Sequence, residues 1–539
     1  MERREFLTRT AATALAAVTP AAALGSTANS ESLPAASDSN PNAPSTVSLD
    51  TRQTMATVSP YLFGSFLEHL GRAIYDGIYQ PGSPLSDAHG FRKDVLAEVR
   101  ALGVPLIRYP GGNFVSGYFW QDGIGPQAQR PRILDRAWDS LETNQVGVDE
   151  FMAWCKLAGA RPLMAVNLGS DTPMNASNLV EYCNVPQGTK WSDMRRANGV
   201  SQPYGIHHWC LGNEMDGPWQ IGHCDATAYG YRAADAARQM KAVDPGIKVT
   251  ACGSSSPGMP TYLEWERQVL EQCYEVVDYL SLHRYFNLPQ KDEKPDYPRF
   301  LAQNLELDRE VAQVGAVCDL VGARLKSRKT LRLSFDEWNV WYGSTGGDGK
   351  RKYAPHLIEE TYNLGDALLV GGCINSLLRN AKRIEIACLA QLVNVIAPLM
   401  TNDQGVLRQT TYFPYRWALQ LARGEVLAIS HNSPGYETEP LGMAPYLDVV
   451  ATLDNNRLCL LALNRDTSRT RTMECHFTAA HPGRILSAFT LTGSDLTATN
   501  TFAQPKNVLP ERLPLPAPGR RMTIELPAQS YSVMQFELA

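Results

Sequence analysis

Trp209-Cys210-Leu211-Gly212-Asn213-Glu214 is a short apolar run that stops at a glycine and two polar residues. Leu331-Arg332-Leu333-Ser334-Phe335 repeats the figure and stops at Asp336-Glu337. Six more runs share it: 62–66 ending near Glu68, 106–109 running into Pro110-Gly111-Gly112-Asn113, 163–166 ending at Asn167, 249–252 running into Gly253-Ser254, 279–282 ending at His283, and 384–389 ending at Gln391. Helical patterns such as 94–101, 148–157, 231–243 and 263–277 lie between them. Near-continuous apolar strands alternating with helices indicate a parallel sheet buried on both faces. Eight such units predict an α/β fold, a (β/α)8 TIM barrel with long loops.

Beyond about Arg423 the pattern changes. Segments 446–453, 457–465, 471–478, 485–491, 522–526 and 531–538 are strand-like, several alternate with period two, and no helical pattern intervenes. Asp454-Asn455-Asn456 reads as a turn. This predicts a C-terminal all-β sandwich (jelly-roll-like) over 424–539, following the (β/α)8 barrel over 58–423. Segment 46–57 precedes the first barrel strand without a helix after it, and is expected to add a strand to the sandwich.

The 539 residues carry 50 basic and 55 acidic side chains, a net charge of −5, and 44% are hydrophobic. No broad basic field suggests nucleic acid, and no mature segment is apolar enough to span a membrane. The eleven cysteines include no CxxC pair, which favours buried free thiols over a disulfide framework. At the amino terminus, Arg3-Arg4 precedes a weakly apolar stretch and small residues at Ala21-Ala22-Ala23 and Ala28. Residues 1–28 therefore read as a twin-arginine-type export signal, with 29–45 as a flexible linker, predicting a periplasmic or extracellular protein.

Polar residues at the carboxyl ends of barrel strands are candidate site residues. Here they are Glu68, Arg108, Asn113, Asn167, Asn213, Glu214, His283, Tyr285, Glu337 and Gln391. One glutamate after a strand is as readily a helix cap; two on nearly opposite strands, ringed by Asn, His, Tyr and Arg, point to chemistry. Glycosidic cleavage needs such a pair, one carboxyl to protonate the leaving oxygen and one to act as nucleophile or activate water. Arg108 is suited to stabilise a charged partner.

Five stretches carry a family resemblance: 64–75 (Gly64-Ser65-Phe66-Leu67-Glu68-His69 onward), Arg108-Tyr109-Pro110-Gly111-Gly112-Asn113-Phe114, 210–219 (Cys210-Leu211-Gly212-Asn213-Glu214 onward), 335–342 (Phe335-Asp336-Glu337-Trp338-Asn339 onward), and 388–396 around Gln391. In order and length they resemble the α-L-arabinofuranosidases of glycoside hydrolase family 51, from about Thr46 to the end. The resemblance implies Glu214 as general acid/base and Glu337 as nucleophile of a retaining exo-glycosidase. It implies that Asn213 holds the hydroxyl beside the reacting carbon. Glu68, Asn113 and Gln391 would hydrogen-bond the furanose, Arg108, His283 and Tyr285 would orient the nucleophile, and Trp341 and Trp138 would wall the pocket. It implies plant-derived arabinose-containing oligosaccharides as substrates, no cofactor, and a homo-oligomer, often a hexamer in the family. Arg284 and Phe286, and the glycine-rich loop Gly343–Lys352, depart from the family pattern where the leaving group is expected.

His207, His208, Cys210, His223 and Cys224 cluster in sequence, but their spacing fits no standard zinc site and there is no HExxH, so no metal is expected. Gly253-Ser254-Ser255-Ser256-Pro257 lacks the last glycine of a nucleophile elbow. Trp120 and Trp219 read equally as core or as sugar platforms. The rival functions are a β-D-xylosidase, galactofuranosidase or endoglucanase on the same fold, a non-catalytic carbohydrate-binding protein, or a metallohydrolase.

Overall fold

The computed structural model describes residue 40, residues 42–343 and residues 351–539. The signal expected at 1–28, most of the 29–45 linker and most of the Gly343–Lys352 loop lie outside them.

Eight parallel strands close into a barrel in chain order: Gly64–Phe66, Leu106–Tyr109, Arg161–Val166, His208–Leu211, Lys248–Ala251, Tyr279–Phe286, Arg332–Val340 and Ile384–Leu389. Helices follow them, among them Lys93–Leu102, Val148–Ala158, Ala226–Val243, Glu264–Cys273, Asn304–Arg324 and Leu364–Arg379. Local chemistry sets the helix ends. Gly103 and Gly159 take the left-handed conformation that closes a helix, at φ 75° and 79°. Asp225 accepts from the Ala228 N–H at 2.9 Å and Asn363 from that of Asp366 at 3.0 Å, each satisfying a donor the first helical turn leaves free.

Strands six and seven run further than their apolar residues suggest, to Phe286 and Val340 rather than Leu282 and Phe335. The polarity of His283, Asp336 and Glu337 marks not a strand end but side chains turned into the barrel. Strand seven also carries one extra residue. Ser334 lies opposite Ser281 of strand six, yet Glu337 lies opposite His283; toward strand eight, Phe335 faces Ala387 and Trp338 faces Leu389. That is a β-bulge at Asp336.

Apart from four two-stranded hairpins, the remaining described strands form one nine-stranded sheet, in the order Glu511–Arg512, Pro482–Leu491, Ser530–Leu538, Arg457–Asn464, Leu447–Asp454, Glu425–Asn432, Ser45–Thr57, Arg471–Phe477 and Arg521–Leu526. Ser45–Thr57 runs antiparallel to Glu425–Asn432 and parallel to Arg471–Phe477, tying the start of the described chain into the sheet. Period two divides Arg457–Asn464 between two cores. Leu458, Leu460 and Ala462 join the sheet's own apolar cluster with Val47, Leu447, Met473 and Phe536. Cys459, Leu461 and Leu463 join the barrel's. The helix Leu364–Arg379 packs at this junction, and every residue from Leu364 to Leu378 is buried, so it has no wet face, and its few polar residues, Asp366, Asn375 and Ser376, are hydrogen-bonded. No helix among the described residues is long and apolar enough to cross a membrane.

Candidate active site

The carboxyl ends of the strands bring the candidate residues together. Glu337, from the bulged strand, receives Arg108 Nη1 at 2.5 Å on Oε1 and the Tyr285 hydroxyl at 2.7 Å on Oε2. Arg108 and Tyr285 come from strands two and six, which are separate walls of the barrel. Glu214, three residues beyond strand four, accepts from the indole N–H of Trp219 at 2.7 Å and faces His283 Nδ1 at 3.1 Å. Its own φ is 43°, a left-handed conformation disfavoured outside glycine by roughly 1–3 kcal/mol. The turn that imposes it presents the carboxyl to the barrel mouth. One carboxylate oxygen each of Glu214 and Glu337 lie within 4.8 Å of one another, with a ring nitrogen of His283 within the same span.

A second layer surrounds this pair. Asn213 Oδ1 accepts from Arg108 Nη2 at 2.7 Å, and its amide nitrogen donates to Asn113 Oδ1 at 3.3 Å. Glu68 Oε1 accepts from the Phe114 N–H at 2.9 Å and the Trp138 indole at 3.0 Å, while the Glu68 N–H donates to Gln391 Oε1 at 2.9 Å. A cavity of about 320 Å³ opens here, lined by Glu68, Asn113, Trp138, Tyr285, Glu337, Trp341 and Gln391, with Leu70, Gly112, Ile358 and Ile396 completing the wall. Trp341 meets Tyr285 edge-on at 5.6 Å between ring centres. Small size is required at residue 112: a Cβ there would lie 2.9 Å from Glu337 Oε1 and 3.2 Å from Glu68 Oε2.

Two expectations change. Asn167 is tied into its own turn, accepting from the Gly169 and Ser170 N–H groups at 3.0 Å, and lines a separate, mostly apolar cavity of about 430 Å³ beside Tyr118 and Trp120. Arg284, expected on the leaving-group side, does not line the cavity. His283 and Tyr285 point inward, so on the alternating strand Arg284 points out, where it pairs with Glu306 and lies 3.8 Å from Glu310 on the Asn304–Arg324 helix. The sequence reading also passed over Asp336, which the bulge turns inward, and left Trp219 undecided. Trp219 is a hydrogen-bond donor to Glu214.

The site is electrostatically tense because it is buried. Burial disfavours the His283 cation, but Glu337, Asp336 and Glu214 outweigh that and push its pKa up to about 10. Burial and the nearby charge of Glu337 raise Glu68 to about 7, against the opposing pull of the Phe114 N–H, the Trp138 N–H and Arg108. Burial opposes the charge of Arg108, yet Asp336 and Glu337 hold its pKa well above the ordinary arginine value. Among the described residues, Glu214, His283 and Glu337 are the one group whose donor atoms converge closely enough to suggest a metal ion. Arg108 2.5 Å from Glu337 places a cation where a divalent ion would need the carboxylate, and His283 Nδ1 is turned to Glu214. The His207–Cys224 cluster makes no comparable group.

Comparison with known proteins decides the family. Residues 98–299 match the α-L-arabinofuranosidase 1 domain model and residues 336–530 the α-L-arabinofuranosidase C-terminal domain model. An intracellular exo-α-(1→5)-L-arabinofuranosidase of Bacillus subtilis is 47% identical over 468 residues, which is 86% of this chain and 92% of that protein. The chain belongs to the family 51 α-L-arabinofuranosidases. A solved family 51 arabinofuranosidase from Bifidobacterium longum superposes with a TM-score of 0.88 at 39% identity, covering 92% of this chain and all of that one. An exo-α-(1→6)-L-arabinofuranosidase, also of Bifidobacterium longum, is 45% identical over 86% of this family 51 chain and 90% of its own length. The comparisons overturn the expectation of export. Like the Bacillus subtilis relative, three others at 46% identity are named intracellular. The eleven cysteines, all free and ten of them buried, are also in keeping with a reducing compartment.

Proposed function

We propose that the protein is a retaining, exo-acting α-L-arabinofuranosidase of the cytoplasm, with Glu337 as nucleophile and Glu214 as general acid and base. The observation that carries this reading is the spacing of two buried carboxyls with different partners. Oxygens of Glu214 and Glu337 lie within 4.8 Å, which suits the roughly 5–5.5 Å separation of retaining enzymes rather than the roughly 6.5–9.5 Å of inverting ones. Arg108 and Tyr285 hold Glu337 as an anion aimed at the cavity. In the first step a Glu337 oxygen bonds to the anomeric carbon, the glycosidic C–O bond breaks, and the Glu214 proton goes to the leaving oxygen. In the second, the Glu214 carboxylate takes a proton from water, the water oxygen bonds to the anomeric carbon, and the ester to Glu337 breaks. Arabinose leaves with its configuration retained. Asn213, Asn113, Glu68 and Gln391 hydrogen-bond the furanose hydroxyls, and Trp138 and Trp341 wall the ring.

The substrates are arabino-oligosaccharides with a terminal α-L-arabinofuranosyl residue, α-(1→5)-linked in the first instance, as the Bacillus subtilis relative's name suggests. A panel of aryl glycosides and of (1→5)- and (1→6)-linked arabinobioses tests both activity and linkage. The arabinofuranoside should be hydrolysed with a first product of retained configuration by NMR; an inverted product or preference for another aryl sugar discards the assignment. Azide should restore turnover of activated substrates to Glu214→Ala but leave Glu337→Ala without a covalent intermediate. The homo-oligomer implied by the resemblance is checked by sedimentation, where a monomer discards it.

A further inference from the structure

Asp336 and Glu337 are consecutive, and in a regular strand they would face opposite sides. The extra residue of strand seven turns both inward. Glu337 meets the cavity. Asp336 is buried on the other edge of the His283 ring: its Oδ1 is 3.3 Å from His283 Nε2, an ion-pair approach without hydrogen-bond alignment, and its Oδ2 is 3.6 Å from Arg108 Nε. Cys210 Sγ donates to the same Oδ2 at 3.4 Å. His283 is thus clasped by carboxyls on both edges. Glu214 lies 3.1 Å and Glu337 3.7 Å from Nδ1, and Asp336 faces Nε2.

We propose that Asp336 is a positioning residue that acts through His283: it keeps the imidazole doubly protonated and fixed, with Nδ1–H directed at Glu214. This rests on the reading of Glu214 as acid and base. When Glu214 gives its proton to the leaving oxygen, the carboxylate that forms already faces a donor and a cation on one side and the Trp219 N–H on the other. The remaining charges around His283 are accounted for. Arg108 of strand two is shared between Glu337 and Asp336, Cys210 of strand four is a thiol whose pKa burial holds well above its ordinary value, and Glu310 of the helix behind strand six, pushed up to about 8 by burial, acts on both Arg284 and His283. Two carboxylates, Glu337 and Asp336, against one shared guanidinium, with Glu214 hydrogen-bonded at Nδ1, favour the imidazolium, in keeping with the raised pKa of His283.

The test is the protonation of His283 in the full enzyme labelled with 15N-histidine, its signal assigned by loss in His283→Gln. In the parent, both ring nitrogens should be protonated at neutral pH. In Asp336→Asn the titration should fall by at least about one pH unit, a tenfold change in the ratio of charged to neutral ring. The variant's kcat/KM should then gain a pH dependence in that range which the parent lacks. Its kcat should fall more for poor leaving groups than for nitrophenolate, with KM little changed. A neutral His283 in the parent, or an unshifted titration in Asp336→Asn, overturns the proposal. A neutral ring in the parent overturns the proposal even if the variant does not fold. Failure of the parent to cleave any arabinofuranoside would instead remove the functional reading and leave the His283 result standing.

Discussion

Gly112 does chemical work by having no side chain. It sits where Glu337 and Glu68 come closest to the backbone, and a methyl group would have to displace one of them. Gly112→Ala should therefore lower kcat/KM on an aryl arabinofuranoside by about 100-fold, the scale of a misplacement near 1 Å. Its melting temperature should stay close to the parent's, and retained activity would mean that the carboxylates have room to give. Glu68 adds a pH term. Its pKa is raised from 4.5 to about 7, first by burial and then by Glu337. Between those values the folded protein keeps a proton that the unfolded chain releases, so stability present below pH 4.5 is lost as pH rises through about 7. Melting curves of the parent should fall relative to those of Glu68→Gln across that window. Curves that stay parallel would show that Glu68 is ionised throughout.

At the scale of elements, the alternation that makes a strand also decides how many partners it serves. Arg457–Asn464 has no wet face: Leu460 lies in the sheet's core and Leu461 against the barrel. Truncating either leucine to alanine should cost about 2–5 kcal/mol in urea unfolding, the usual range for a cavity in a packed interior. A near-neutral Leu461→Ala would mean that the sheet's second face is loosely covered. Strand seven is the opposite case, where regular alternation is broken. Its bulge places two adjacent acids in the barrel, and no hydrophobic pattern announces it, because Asp336 and Glu337 read as the polar end of an apolar run.

The whole molecule is held across the junction of barrel and sheet by a buried polar cluster. Arg465 Nη2 donates to Asp448 Oδ2 at 2.5 Å and to Asn304 Oδ1 at 2.7 Å, and Arg379 Nη1 reaches Asp448 Oδ1 at 3.1 Å. Asn304 and Arg379 belong to barrel helices, Asp448 to the sheet. Burial opposes the Asp448 charge, but the two arginines overcome it and hold the carboxyl far below its usual range. A depressed carboxyl contributes stability above its unfolded pKa of about 3.8, lost only as pH falls below that value. Asp448→Asn leaves two guanidiniums without their shared anion and should cost about 3–5 kcal/mol at neutral pH, with the deficit shrinking in acid. Denaturation at pH 7 and pH 3 checks this; an equal deficit at both would assign the loss to packing instead.

The barrel was legible in the chain because a strand buried on both faces must be apolar along its length, and eight such runs alternate with helices from Gly64 to Leu389. The residues that end in the cavity were legible for a related reason: a polar residue after an apolar run has few places to go but the strand ends. The family motifs supplied their expected roles. What the linear pattern does not contain is anything set by the folded path of the chain, whether a local turn or a contact between separate segments. Strand alternation sends Arg284 out to Glu306 and Glu310, although its departure from the family pattern beside His283 and Tyr285 suggested a place by the leaving group. Asn167 closes its own turn instead of joining the others. Trp219 became a donor to Glu214 only once the loop after strand four folded back. Asp336 gained His283 and Arg108 as partners only through a one-residue bulge between strands six and eight. Periodicity is a property of one segment and can be read from it, whereas register, bulges and the partners of a buried charge depend on neighbours that can lie from tens to more than two hundred residues away, as Glu306 does from Arg284 and Asp336 from Arg108, and only the folded barrel brings them together.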